Sequence, residues 1–366
     1  MKKIIATILT LALVLSLAAC GSSATTSTPS APSTPSTPAT STPSTPADPA
    51  PSTPADPAPT EKEEQRAAFS VAALKGPTAM GLVQLMKRSG TAPVSTEAEM
   101  PYTFTLAGSA DQVSPLLIKG ELDMACVPAN LASNLYHKTN GQIITLAINT
   151  LGVIYIVETG ETLNSLSDLA GKTMVGAGKG STPEFGLRYL LSENNIDPDT
   201  GLSIDWKNEH SECVAALASG VASIALLPQP FVTVAQNKIP GLRVALDLTA
   251  EWDALDNGSG MVTGVIVARK DVVEANPEAV ATFLKDYAES VEWVNANVAD
   301  AAQLIAQYGI VEAAAIAEKA LPHCNIVCMT GEEMKETLSG YLNALAQQEP
   351  KAVGGSVPAD DFYYGA

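Results

Sequence analysis

The chain has 366 residues, 46% of them hydrophobic, with 39 Asp and Glu against 21 Lys and Arg and a formal net charge of −18. That acidic balance excludes a nucleic-acid binder, which needs clustered cations against a phosphate backbone. The apolar content suffices for one large α/β unit or two ordinary domains. Only three histidines, His137, His210 and His323, are present and they lie far apart, which argues against a metal centre or a His-based catalytic set.

Lys2 and Lys3 precede an apolar run over 4–17, too short to span a bilayer, and the run ends in Leu17-Ala18-Ala19-Cys20 with Gly21 next. These residues resemble the bacterial lipobox. The resemblance implies cleavage before Cys20, diacylation of its thiol, and a mature protein anchored to the outer face of a membrane without spanning it. Residues 21–64 are almost all Ser, Thr, Pro and Ala, and the octet STPADPAP occurs twice in tandem at 44–51 and 52–59. Such a composition cannot fill a core, so this segment is expected to be a disordered tether. Forty residues at polyproline rise reach roughly 120 Å, a length that favours a Gram-positive envelope.

From about residue 67 the pattern alternates strand and helix. Strands are expected at 68–74, 102–107, 122–127 and 143–148. Helices are expected from 79 to 88, over 113–118, and opening at Pro128-Ala129-Asn130. This rhythm predicts a mostly parallel sheet covered on both faces. The apolar run 151–157 (LGVIYIV) follows a strand with no helix between, and after it the rhythm restarts. Strands are expected at 172–176, 202–206, 222–227 and 242–246, with helices from Pro183 to Asn194, over 211–218, and after Pro228-Gln229-Pro230. The run 261–268 (MVTGVIVA) is one more strand. Beyond it the chain is expected to be helical to about Gln348, with Phe283, Tyr287, Val291 and Val294 on one face.

The stretch 175–191 (VGAGKGSTPEFGLRYLL) reads as strand, glycine-rich turn and helix. Proline suits the first helical position, and Ser181 or Thr182 can cap the free N–H groups there. It is neither a P-loop, because Gly180 separates Lys179 from the hydroxyls, nor a Rossmann turn, because the G-x-G-x-x-G spacing fails. Two lobes, the second inserted into the first, are the simplest arrangement, with 151–157 and 263–268 as the crossing strands. Ligands in α/β folds sit beyond the carboxyl ends of the strands. Four turns should therefore line a cleft: Gly76, Pro77 and Thr78; Pro128, Ala129 and Asn130; Gly180, Ser181 and Thr182; and the turn holding Gln229. Lys75 and Lys179 flank two of them. Glu184 opposes an anion at the third turn, or simply complements the helix dipole. Tyr155, Phe185, Phe231 and Trp252 could stack on a ring or belong to the core. Arg188 reads as a surface or packing residue, and Asn257-Gly258-Ser259 as a turn. Cys126, Cys213, Cys324 and Cys328 could be small buried hydrophobes or include a disulfide, with three connectivities open. His323 beside Cys324 is too little for a metal site, so no metal and no cofactor are expected.

Three stretches carry a family resemblance: 117–125 (LIKGELDMA); 166–173 (LSDLAGKT); and 216–220 (ALASG) with 227–230 (LPQP). Asn276-Pro277-Glu278-Ala279-Val280 to Asn295-Ala296-Asn297, with Ala301 and Ala302, extends it. The chain resembles the type II periplasmic solute-binding proteins of ABC importers, within them the nitrate/sulfonate/thiamine-precursor branch. It departs from that pattern at Gly220-Val221-Ala222-Ser223 and at Gln229-Pro230. The resemblance implies a two-lobed α/β fold with two hinge crossings, lobe 1 over 65–156 and 264–366 and lobe 2 over 157–263. It further implies a small solute held between the lobes, and delivery to a membrane permease and its ATPase. An enzyme on the same fold, or a wall-tethered adhesion protein, are the alternatives.

Overall fold

The computed structural model describes residues 68–90 and 102–366. The expected signal peptide, the expected lipidation residue Cys20 and the expected tether lie outside the described residues. The first sheet takes β1 (Phe69–Leu74), β2 (Tyr102–Ala107), β3 (Met124–Pro128), β4 (Ile143–Leu151), β10 (Val262–Arg269) and β11 (Ile326–Met329). The second takes β5 (Ile154–Glu158), β6 (Thr173–Ala177), β7 (Ser203–Lys207), β8 (Ile224–Pro228) and β9 (Arg243–Asp247). The helices before the second sheet are α1 (Pro77–Met80), α2 (Val83–Arg88), α3 (Ala110–Lys119) and α4 (Ala129–Lys138). Those between its strands and after it are α5 (Thr182–Glu193), α6 (His210–Ala218), α7 (Phe231–Lys238) and α8 (Leu248–Asp253). The C-terminal part holds α9 (Lys270–Ala275), α10 (Pro277–Ala296), α11 (Val298–Gln307), α12 (Ala314–Ala320) and α13 (Gly331–Gln348).

The strand order is β2-β1-β3-β10-β4-β11 in the first sheet and β7-β6-β8-β5-β9 in the second. Strands reached through a helix run parallel, as β1–β2, β1–β3, β6–β7 and β6–β8 do. The strand that follows each crossing runs against its neighbours: β5 is antiparallel to β8 and β9, and β10, reached after α8, to β3 and β4. The expected mostly parallel sheet is therefore mixed, because each crossing adds a reversed strand. The run 151–157 is not one strand: Leu151 ends β4, and Gly152 and Val153 carry the chain across before β5 begins. Gly152 has to be glycine, since a Cβ there would collide with the Thr249 side chain.

Two further expectations need correcting. The C-terminal region is not wholly helical, for β11 pairs antiparallel with β4 at the sheet edge. Its four residues are too short for any alternation to show between helices. The first helix is also broken, into α1 and α2, at Gly81 and Leu82. A Cβ on Gly81 would stand 2.6 Å from the Tyr287 hydroxyl, so the break lets α10 approach closely.

Three cores follow from this layout. Met80, Leu85, Phe283, Tyr287 and Ile305 cover one face of the first sheet, and Val157, Val175, Val214 and Val232 cover one face of the second. The third core is shared. It runs from Val127 and Leu135 under the first sheet, through Leu342 and Tyr341 of α13, to Trp252 and Leu187 beside the second. Trp252 is fully buried, with ring centroids 4.5 Å from Tyr189 and 5.3 Å from Tyr341. The two sheets are therefore joined by packed aromatic surface as well as by two chain crossings.

Candidate functional site

Each sequence-predicted turn follows the carboxyl end of a strand, and the fold brings them together in pairs. After β1, Gly76 precedes α1 and Pro77 takes its first position. Thr78 turns inward, its hydroxyl donating to Leu74 O at 2.9 Å, and Asn149 Nδ2 donates to Thr78 O at 3.2 Å. Gly264 lies against them, since a Cβ there would stand 2.5 Å from Thr78 Cγ2. Gly264 is also the register partner of Pro128, which ends β3. The first two turns thus share a wall with β4 and β10.

Ala129 is buried at the start of α4, and Asn130 is 2% exposed. Asn130 Nδ2 donates to Gly180 O and to Ala352 O, both at 3.3 Å. The first of these bonds crosses from the first sheet's unit to the second's. Asn130 Oδ1 is buried without a partner, although buried polar groups are ordinarily paired.

The third turn does not cap its helix as the sequence suggested. Ser181 holds the N-cap backbone position of α5, but its hydroxyl donates to Gly178 O at 2.9 Å. Glu184 reaches back from the first turn to the loop before the helix, where Gly180 N donates to its Oε2 at 2.6 Å. The glutamate is drawn there by the positive end of the helix, which favours a carboxylate in the first turn. Thr182 is buried, with its hydroxyl beside that of Tyr341 on α13. Neither hydroxyl has a well-aligned partner.

Gln229 behaves differently from the other nine residues. Its N–H donates to Val153 O at 3.0 Å, tying β8 to the crossing segment, and its Oε1 accepts from Thr233 Oγ1 at 2.9 Å. The side chain therefore braces the first turn of α7 and faces another space. That space is a cavity of about 400 Å³ lined by Tyr155, Gln229, Thr233, Gln236, Asn237, Val244, Lys319 and His323. Its walls are α7, β5 and β9 on one side and the end of α12 with the turn after it on the other. Lys319 Nζ donates to Asn237 Oδ1 at 3.1 Å and Tyr155 Oη to His323 O at 3.4 Å, both across the divide. Burial, with the Asp247 charge adding to it, pushes the Tyr155 phenol up to about 12, so it stays neutral.

Sequence reasoning missed this cavity, and Lys319 most of all. A lone lysine late in a helical region carries no pattern, and only the fold sets it opposite α7. The stacking candidates also resolve. Trp252 is core, its Nε1 donating to Ser259 Oγ at 2.9 Å. Phe231 packs on His210 at 5.1 Å, and burial lowers that imidazole to about 4. Tyr155 lines the cavity, and Phe185 is half-buried against the shared core. Arg188 pairs with Asp199 at 2.8 Å on the surface, and Asn257 Oδ1 accepts from Ser259 N at 2.9 Å in a tight turn. Cys126, Cys213, Cys324 and Cys328 are free thiols. Burial raises Cys126 and Cys324 to about 12 and Cys213 and Cys328 to about 11, so none is a ready nucleophile. Among the described residues, no helix is long and apolar enough to cross a membrane.

Two sheet units, reversed strands at both crossings, and facing strand-end turns define a two-lobed α/β binding protein of the periplasmic type. Comparison with known proteins agrees. The model of the family described as "ABC transporter, phosphonate, periplasmic substrate-binding protein" matches residues 91–321, more than half of the chain. The chain belongs to this family. An ABC transporter structure from Parabacteroides distasonis superposes with a TM-score of 0.67 at 24% identity, covering 81% of this chain and 98% of that one. The periplasmic aliphatic sulphonate binding protein of Escherichia coli superposes with a TM-score of 0.63 at 16% identity, covering 81% and 95%. At such identities the likeness is one of fold. A binding protein of Brucella abortus is 25% identical over 217 residues, 58% of this chain. The chain spans 65% of that relative's length.

Proposed function

We propose that this protein is the extracytoplasmic solute-binding component of an ABC importer. It captures a small solute between lobe 1 (65–156 and 264–366) and lobe 2 (157–263) and presents the closed form to a permease and its ATPase. The contact of Asn130 Nδ2 with Gly180 O carries the reading, because it joins strand-end turns of both sheets and leaves a buried acceptor between them. Gly76, Pro77, Thr78, Pro128, Ala129, Asn130, Gly180, Ser181 and Thr182 form the solute site in this reading. Gln229 belongs to its hinge side.

Gly180 N already donates to Glu184 Oε2, so an anionic solute at this turn has to displace that carboxylate. A solute oxyanion would fit in its place, with the α5 dipole assisting. That favours the nitrate/sulfonate side of the importer branch over the thiamine-precursor side. The full chain is expected to melt higher with one member of a panel of methylphosphonate, alkanesulfonates, nitrate and a substituted pyrimidine. Ligand at 100 times its Kd contributes about 2.7 kcal/mol to the native state. A panel that leaves the melting point unmoved, with turnover of any member, would sink the importer reading in favour of an enzyme.

The lipid anchor belongs to the same proposal. Diacylated Cys20 would hold the protein on the outer face of a Gram-positive membrane, with 21–64 as the spacer. In the producing cell, Cys20→Ser is expected to move most of the protein from the membrane fraction to the medium. Unchanged fractionation would remove the anchor.

A further inference from the structure

One face of α4 carries four polar side chains, Asn130, Ser133, Asn134 and His137, at the spacing that stacks residues along a helix. All four bond backbone carbonyls of the segment that follows α13. Asn130 Nδ2 donates to Ala352 O at 3.3 Å, Asn134 Nδ2 to the same oxygen at 2.8 Å, and Ser133 Oγ to Val353 O at 2.6 Å. His137 Nε2 lies 2.7 Å from Ser356 O, and since a carbonyl only accepts, the ring nitrogen donates. The segment is also held at its far end. Phe362 packs on Tyr136 with ring centroids 5.3 Å apart, and Tyr364 N donates to Thr145 O of β4 at 2.9 Å. Gly354 lets the run lie flat on α4. Its backbone is left-handed (φ +86°), and a Cβ there would stand 2.8 Å from His137 Cδ2 and 3.3 Å from Asn134 Cα.

We propose that residues 350–356 form a strap that positions Asn130 for the solute, with Ser133, Asn134 and His137 as positioning residues. The proposal rests on the solute reading of the seam beside Gly180. A primary amide nitrogen has two protons, and those of Asn130 face Ala352 O and Gly180 O. Both partners are carbonyls, so the amide cannot turn over without setting Oδ1 against two oxygens. Asn134 holds the same residue from the helix side, because its Nδ2 also donates to Asn130 O at 2.8 Å. The side on which the unpartnered Oδ1 stands is therefore set in part by a segment 222 residues away in sequence. Without the strap, Gly180 O is the one remaining partner of that amide, and the side chain is free to rotate. Fewer molecules then present Asn130 in the competent rotamer, and the apparent affinity falls by that fraction.

Asn-selective 15N labelling of the full chain reads the Asn130 side-chain amide directly, its resonances identified by their loss in Asn130→Ala. Calorimetry reads affinity for the panel solute that stabilises the parent. Gly354→Ala drives the strap off α4, and Asn134→Leu keeps the volume while removing the donors. Each is expected to move the Asn130 amide resonances and to weaken the solute at least 10-fold, with a cooperative melt retained. Gly241→Ala brings comparable left-handed strain (φ +82°) with nothing within 4 Å of the new Cβ, and is expected to change the affinity less than 2-fold. Should Gly354→Ala fail to fold, Asn134→Leu decides alone. The proposal is overturned if the Asn130 resonances stay in place, or if they move while the affinity is kept. It is also overturned if Gly241→Ala weakens the solute as much, because backbone strain would then suffice. A parent that binds no panel solute sinks the solute reading itself, whereas unmoved resonances sink the strap alone.

Discussion

Gly180→Glu is expected to lower affinity for the transported solute by at least ~100-fold while leaving the protein folded. The backbone at Gly180 is left-handed (φ +77°), and a Cβ built there meets nothing within 4 Å. A side chain is thus sterically admitted, at a cost of about 1–2 kcal/mol for the conformation, against a native stability of about 5–15 kcal/mol. The new carboxylate would project from the loop whose N–H already holds Glu184 Oε2 and whose carbonyl meets Asn130 Nδ2. It fills the space between the turns and repels an oxyanion. The check is calorimetric titration of the panel solute that stabilises the parent, with a thermal melt of the variant alongside. Retained affinity in a folded variant would take the Gly180 loop out of the site. Loss of the cooperative melt would mean that the loop is structural.

Why this loop could be found in the sequence, and Lys319 could not, follows from the range of the forces involved. Strand-turn-helix units are local. The apolar run before Gly178, the glycines and Pro183 after them specify β6 and α5 within about twenty residues. Likewise the run near 154 stood out as a strand without a preceding helix and 261–268 as one more apolar strand, and they became the reversed strands β5 and β10. What is decided between distant segments was not legible. The Ser181 hydroxyl turns back to Gly178 O instead of capping α5, and the Gly180 N–H goes to Glu184. The Gln229 side chain bonds Thr233 and lines the α7–α12 cavity, a direction that no local pattern specifies. Ile326–Met329 became a strand only because β4 offers it an open edge.

Trp252→Ala is expected to cost about 3–5 kcal/mol, the range for emptying a buried Trp site. The indole is fully buried between Tyr189 and Tyr341 and donates to Ser259 Oγ. Tyr189 lies on α5 beside the second sheet, whereas Tyr341 lies on α13, which packs under the first. The loss should therefore fall on the joint between units as well as on one core. This joint makes the hinge asymmetric. On the α13 side, parting the units would expose aromatic rings, each worth a few kcal/mol of buried area. On the α7–α12 side it would break the polar contacts of Lys319 with Asn237 and of Tyr155 with His323 O, which water can replace. Opening should therefore pivot about α13 and gape toward α7 and α12. Denaturant titration of Trp252→Ala and Trp252→Phe measures the first part: Phe keeps most of the packing and should lose only about 1–2 kcal/mol. Spin labels at Lys238 and Glu318 measure the second, and their distance should lengthen without solute more than that of a pair at Glu193 and Glu336. If Trp252→Ala costs under 1 kcal/mol, or if the second pair moves more, the aromatic joint is not the pivot.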